Sequence, residues 1–270
     1  MTTFLFASSQ GFSRKGEVMA TLLKKEILEQ WRTYRILIVC AVLLFFGLSS
    51  PLLARYTPEI LKSLPGVPPE LANILPPATV ADAVGQYLEN VTQFGVILAL
   101  LISMGAVIQE KERGTAAILL SKPVSRETFL LAKLIAIDIT FFAGLFLASI
   151  GAYYYTGLLF EWLNLPRFIA MNGFVYVYLT VYVALTVLAS TMARSQVAAG
   201  GIAFGLLVTM GIVGAIPRLG SSLPGELIAW GGRVALGDVS NPAWSALWVS
   251  LSLILTALLG AWAMFRRQEI

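Results

Sequence analysis

"ILIVCAVLLFFGLSSPLLA", residues 36–54, runs from one arginine to the next without a charged side chain. At about 1.5 Å of rise per residue, a helix of this length crosses most of the hydrocarbon core of a bilayer. Helix is also the conformation that satisfies every backbone group inside the segment, where no water is available. Comparable apolar runs follow at residues 91–108, 134–159, 168–192, 197–216 and 244–265. The expected fold is therefore an all-α integral membrane protein with six transmembrane helices in a single transmembrane domain over residues 1–270.

The composition excludes most other classes. Of the 270 residues 57% are hydrophobic and 13% charged, against about 25% charged in soluble domains, so no soluble catalytic domain fits beside the spans. Histidine is absent and the one cysteine, Cys40, lies within the first apolar run. Intrachain disulfides, zinc clusters and histidine acid–base chemistry are thereby removed, and Cys40 reads as a small packing residue. No catalytic residue and no metal site is expected. The net charge of +4 comes from basic residues scattered over short loops, which is not a nucleic-acid footprint. Residues 1–12 lack the basic start and cleavage site of a signal peptide.

Orientation follows from the loops. All but Arg55, Lys62, Arg167, Arg218 and Arg233 of the 19 Lys and Arg fall on one side of the spans, and that side is the cytoplasmic one by the positive-inside rule. Both termini then face the cytoplasm from a multi-pass chain in the cell (plasma) membrane. Residues 17–35 place Val18, Leu22, Leu23, Ile27, Leu28, Trp31 and Tyr34 at three- and four-residue steps, the pattern of an amphipathic helix lying in the interface. An extension of the first span fits the same pattern, and a hinge before Ile36 separates the two readings. On the other side, residues 56–90 hold half of the 12 prolines and read as an external loop closing in a short helix near 81–88. A second external segment, 217–242, is apolar enough at Leu227, Ile228 and Trp230 to fold back toward the membrane.

Three features inside the spans invite a role. Asp138 is an acidic residue within the third span, where a charge costs about 2.5–3.5 kcal/mol on insertion scales; it reads as a structural hydrogen-bond partner or as part of a pathway or gate, with Arg194 as a conceivable partner. Gly201 and Gly205 form G-x-x-x-G, which lets helices approach closely, against a neighbouring span or a second subunit. Asn172, Tyr176, Tyr178, Thr180 and Tyr182 fit either a cargo surface or hydrogen bonds between helices.

Between the second and third spans lies "QEKERGTAAILLSKPVSRETFLLAK", residues 109–133. Glu110, Lys111, Glu112 and Arg113 alternate in sign, and Gly114 suits the position after a helix end. Thr115 is placed to cap a short helix over 116–120, Pro123 ends it, and Ser125 is placed to cap the third span. The apolar patch Ile118, Leu119 and Leu120, ringed by Glu112, Lys122 and Arg126, has the character of a docking knob for a soluble protein. An ordinary basic loop held by the positive-inside rule fits these residues equally well.

This stretch resembles the cytoplasmic loop of type-2 ABC transporter permeases, in which E-x-E-x-G-T is followed by L-L-S-x-P-[VI]-S-R and then a lysine before the third span. The matching residues here are Glu110, Glu112, Gly114, Thr115, Leu119, Leu120, Ser121, Pro123, Ser125, Arg126 and Lys133. The resemblance implies a coupling helix that docks on a nucleotide-binding subunit, and with it a permease of exporter type that works as a dimer of itself or with a similar chain. Independently, the sequence holds no G-x-x-x-x-G-K-[ST] phosphate loop, so ATP and magnesium belong to a partner ATPase and no cofactor is expected in this chain. A non-transporting scaffold that recruits an ATPase is the alternative; an intramembrane enzyme is disfavoured by the lack of histidine and the solitary Asp138.

Overall fold

Four of the described helices begin where a capping side chain precedes an apolar run. Thr79 and Asp82 form a reciprocal capping box at the head of α3 (Val80–Ser103), Ser125 accepts from the Thr128 amide at the head of α5 (Arg126–Leu159), and Asn164 and Ser195 do the same for α6 (Leu165–Met192) and α7 (Gln196–Gly214). The computed structural model describes residues 3–63, 77–112, 114 and 125–267. Its remaining helices are α1 (Thr3–Arg32), α2 (Arg35–Ser63), α4 (Ile108–Glu112), α8 (Pro217–Gly220), α9 (Pro224–Ala235) and α10 (Trp244–Arg267).

Six of these segments are long and apolar enough to cross a membrane: Arg35–Ile60, Val80–Glu112, Arg126–Leu159, Leu165–Met192, Gln196–Gly214 and Trp244–Arg267. α6 lies at the centre, against α3, α5, α7, α9 and α10. α2 packs along α5 through Val39, Leu43, Gly47 and Ser50, buried at steps of three and four residues. A Cβ added at Gly47 would collide with the Ala148 backbone, and one at Gly151 would stand 2.8 Å from Leu48. Close approach of this kind lets dispersion forces hold helices in lipid, where hydrophobicity gives no drive. An aromatic stack of Phe46 on Phe94, with centroids 4.0 Å apart, joins α2 to α3.

Several sequence expectations need correction. Residues 81–88 are not a separate helix but the opening turns of α3, because the capping box starts the helix at Val80. The first external loop also begins later than expected, since α2 continues through Pro58 to Ser63. The second external segment folds into α8 and α9, and α9 lies on the bundle: Leu227 and Trp230 are buried against Phe174 and Val177 of α6. α1 is separated from α2 by a turn at Thr33 and Tyr34, the latter with φ 59°. The row that α1 turns inward is Leu22, Glu26 and Gln30, whereas Leu28 and Trp31 are exposed; polar residues occupy the inner row because a lysine of α5 waits there.

Among the described residues, Gly201 and Gly205 pack against no neighbouring span. Nothing lies within 4 Å of a Cβ at either position, and α7 is the least covered span, with Val197 86% exposed.

Candidate functional site

One end of the bundle gathers the end of α1, the starts of α2, α5 and α7, the ends of α6 and α10, and the whole of α4. α4 is short, yet side chains from five helices bind it or its flanking turn. Lys25 of α1 and Lys133 of α5 both donate to Glu110 Oε1, at 2.7 and 2.8 Å, and Lys133 also reaches Glu26 Oε2 at 3.0 Å. Arg35 of α2 donates to Gln109 Oε1 at 3.0 Å, and Gln109 Nε2 donates to Gln196 Oε1 of α7 at 2.9 Å. Lys111 Nζ donates to the Thr191 carbonyl of α6 at 2.6 Å. Ser190 Oγ, also on α6, accepts from the amides of Val107 and Ile108 at 3.0 and 3.1 Å.

The charges in this hub hold each other. Lys133, Glu26 and Glu110 are all buried, and a buried ion is tolerated only where a partner and further hydrogen bonds replace water. Burial works against the charge on Lys25, but its hydrogen bonds to the Glu110 and Glu26 carboxylates, with their negative charge, outweigh it and hold the amine above the ordinary lysine range. Carboxylate oxygens of Glu26, Glu29 and Glu110 lie within 4.8 Å of one another, a spacing that would suit a cation. Lys25 pairs with all three and Lys133 with Glu26 and Glu110, so two ammonium groups offset most of their negative charge.

The loop residues singled out in the sequence divide into three groups. Glu112 and Gly114 are exposed at the exit of α4, where Gly114 takes φ 68° as its position after the helix end requires; Ser125 is exposed at the entry to α5. Glu110 and Arg126 are each bound to other helices of the chain, Glu110 buried and Arg126 half-buried. Glu110 belongs to the hub, and Arg126 donates to the carbonyls of Phe265 and Arg266, holding the last turn of α10 to the head of α5. Its guanidinium also lies 5.7 Å from the Phe265 ring centre. Arg113, Thr115, Ile118, Leu119, Leu120, Lys122 and Pro123 lie outside the described residues.

Deeper in the bundle, Asp138 lies against Thr180 and Tyr176 of α6, and its Oδ1 has no hydrogen-bond partner among the described residues. Arg194 is exposed at the turn after α6. Asn172 accepts from the Tyr87 hydroxyl at 2.6 Å and donates to the Phe168 carbonyl, all buried, so it joins α3 to α6. Tyr178 and Tyr182 pack edge to face.

Sequence reading missed Ser190, Gln109, Gln196 and Glu26. Polar residues near span ends are expected at an interface anyway, and only Lys133, already prominent before the third span, pointed at the cluster.

Comparison with known proteins agrees with this geometry. The family described as "ABC-2 family transporter protein" matches over residues 20–222, a stretch that contains α4, the loop and the hub residues from Lys25 to Gln196. An "Uncharacterized transmembrane protein YxlG" of Bacillus subtilis (strain 168) is 29% identical over 260 residues, covering 94% of this chain and 99% of that relative. With six apolar helices, a loop of the ABC permease pattern and a family match over most of its length, the chain belongs to the ABC-2 family of transporter proteins, as a multi-pass membrane subunit.

Proposed function

We propose that this chain is the permease subunit of an ATP-driven exporter, a single transmembrane domain whose loop between α4 and α5 docks a separate ATPase that binds ATP and magnesium. The observation that carries this reading is the hub. The loop's entrance, α4, is bound to α1, α2, α5, α6 and α7, and its exit, Arg126, is bound to α10. A push on the loop is therefore passed to most of the bundle without a soluble domain in this chain.

The hub end carries the excess of Lys and Arg, so it faces the cytoplasm of the cell membrane, with both termini on that side and α1 along the inner leaflet. A second copy completes the pathway. The open glycine face of α7 is its contact, because small residues that meet nothing within one protomer are what a close helix pair needs. ATPase binding and release then rock the two halves and alternate access across the membrane. Asp138, with an oxygen that has no hydrogen-bond partner among the described residues, takes part in the pathway or its gate.

Glu112 gives the cleanest test, since its side chain is exposed and outside the hub. Glu112→Lys lowers co-purification of the ATPase while membrane insertion and thermal stability stay at the wild-type level. Undiminished association with full ATPase stimulation would take Glu112 out of the interface.

A further inference from the structure

The second span does not run straight into α4. Helix gives way to a turn over residues 104–107, where the Ala106 amide closes on the Ser103 carbonyl at 3.0 Å and the Gln109 amide on the Gly105 carbonyl at 3.2 Å. Between those two, the amides of Val107 and Ile108 donate to Ser190 Oγ. All three residues are buried, so water is not there to replace the hydroxyl, and an unpaired buried amide is costly. One oxygen with two lone pairs meets the need of both.

Ser190 is unlike the neighbouring hydroxyls. Thr140, Thr186, Thr191 and Ser250 each donate to the carbonyl four residues back on their own helix, the usual resting place for such groups in a membrane. Ser190 instead bridges two helices, and it does so at the break, where a helix bends most readily. Gly105 lies in that break, and a Cβ there would stand 2.6 Å from Nε2 of the flexible Gln109 side chain, which would have to shift. Beyond the break, Lys111 is bonded to the carbonyl of Thr191, the next residue of α6. The end of the bend and α4 are thus held to the end of α6 at Val107, Ile108 and Lys111.

We propose that Ser190 is a positioning residue of the coupling step: it holds the break at 104–107 as a hinge and ties displacement of α4 to α6. This rests on the reading of the loop as the ATPase dock. When the ATPase moves the loop, α4 pivots at the break, the bonds from Val107 and Ile108 to Ser190 lengthen, and α6 is drawn with α4.

Hydrogen exchange on the full complex in nanodiscs, with its ATPase and with or without a non-hydrolysable ATP analogue, reads the hinge directly. In the wild type, exchange over residues 104–112 differs severalfold between the two nucleotide states. Ser190→Ala exchanges at least about tenfold faster there in both states while the ATPase remains bound, and Ser190→Thr, which keeps the hydroxyl, restores protection. Gly105→Ala stiffens the break, with its Cβ pressing on the Gln109 side chain, so the difference between states narrows. Wild-type protection in Ser190→Ala, equal exchange in both nucleotide states of an assembled wild-type complex, or an undiminished difference in Gly105→Ala would each overturn the hinge and leave the docking reading standing. A folded wild-type chain that binds no ATPase would overturn the docking reading, and the hinge with it.

Discussion

Lys133 shows how one side chain can organise a membrane protein's input end. It is buried between two carboxylates from different helices, Glu26 and Glu110, and its ammonium lies 5.1 Å from the Phe129 ring centre. Removing it leaves both carboxylates without their buried cation. Lys133→Ala is therefore expected to cost about 3–5 kcal/mol, read as a lower thermal midpoint in detergent. Lys133→Met combined with Glu26→Gln recovers part of that loss, because one uncompensated charge leaves with the lysine. Lys25 adds a sign for pH. Its folded value is raised above the ordinary 10.5, so its contribution is fully present below that value and is lost only as pH rises through the folded one. Trp31 fluorescence, reporting on α1 docking, is expected to stay constant from about pH 6 to about pH 9; a transition inside that range would contradict the assignment.

At the scale of elements, two glycine-bearing faces behave oppositely. On α5 the small residues Gly144, Ala148 and Gly151 recur at steps of four and three and meet α2, where a Cβ on Gly47 would strike backbone that cannot move aside. Gly47→Ala is expected to destabilise the protomer by about 1–3 kcal/mol through overpacking. On α7, Gly201 and Gly205 are exposed and a Cβ at either meets nothing within 4 Å among the described residues, so with Gly201→Leu and Gly205→Leu the protomer is expected to keep its thermal midpoint while the dimer fraction falls in mass photometry. This contrast also marks what was legible in the sequence. Length and hydropathy located the six spans, because a bilayer demands both. The motif G-x-x-x-G drew attention to α7, but small residues report that a close neighbour is allowed and not which neighbour it is; the tight contact inside the chain is at Gly47 and Gly151, which no motif announced. Residues 81–88 were misread for a related reason. Proline-rich flanks looked like loop, while the Thr79–Asp82 capping box, which starts α3, is a local hydrogen-bond pattern that hydropathy does not register. The inward turn of Glu26 depended on Lys133, 107 positions away, and no local pattern could carry it.

For the whole molecule, the proposed function makes one end an input and the rest a lever. The hub binds the entrance of the loop to five helices, Arg126 binds its exit to a sixth, and the sequence holds no G-x-x-x-x-G-K-[ST] motif. The central claim is that residues 113–125 receive a separate ATPase. Co-purification in mild detergent from native membranes, followed by mass spectrometry, tests it most directly when the wild type is compared with a chain in which residues 115–124 are scrambled and Arg126 is left in place. The account predicts a Walker-motif ATPase with the wild type and its loss from the scrambled chain, with both chains folded to the same thermal midpoint. Equal recovery from the scrambled chain, or no ATPase from a folded wild type, would contradict it.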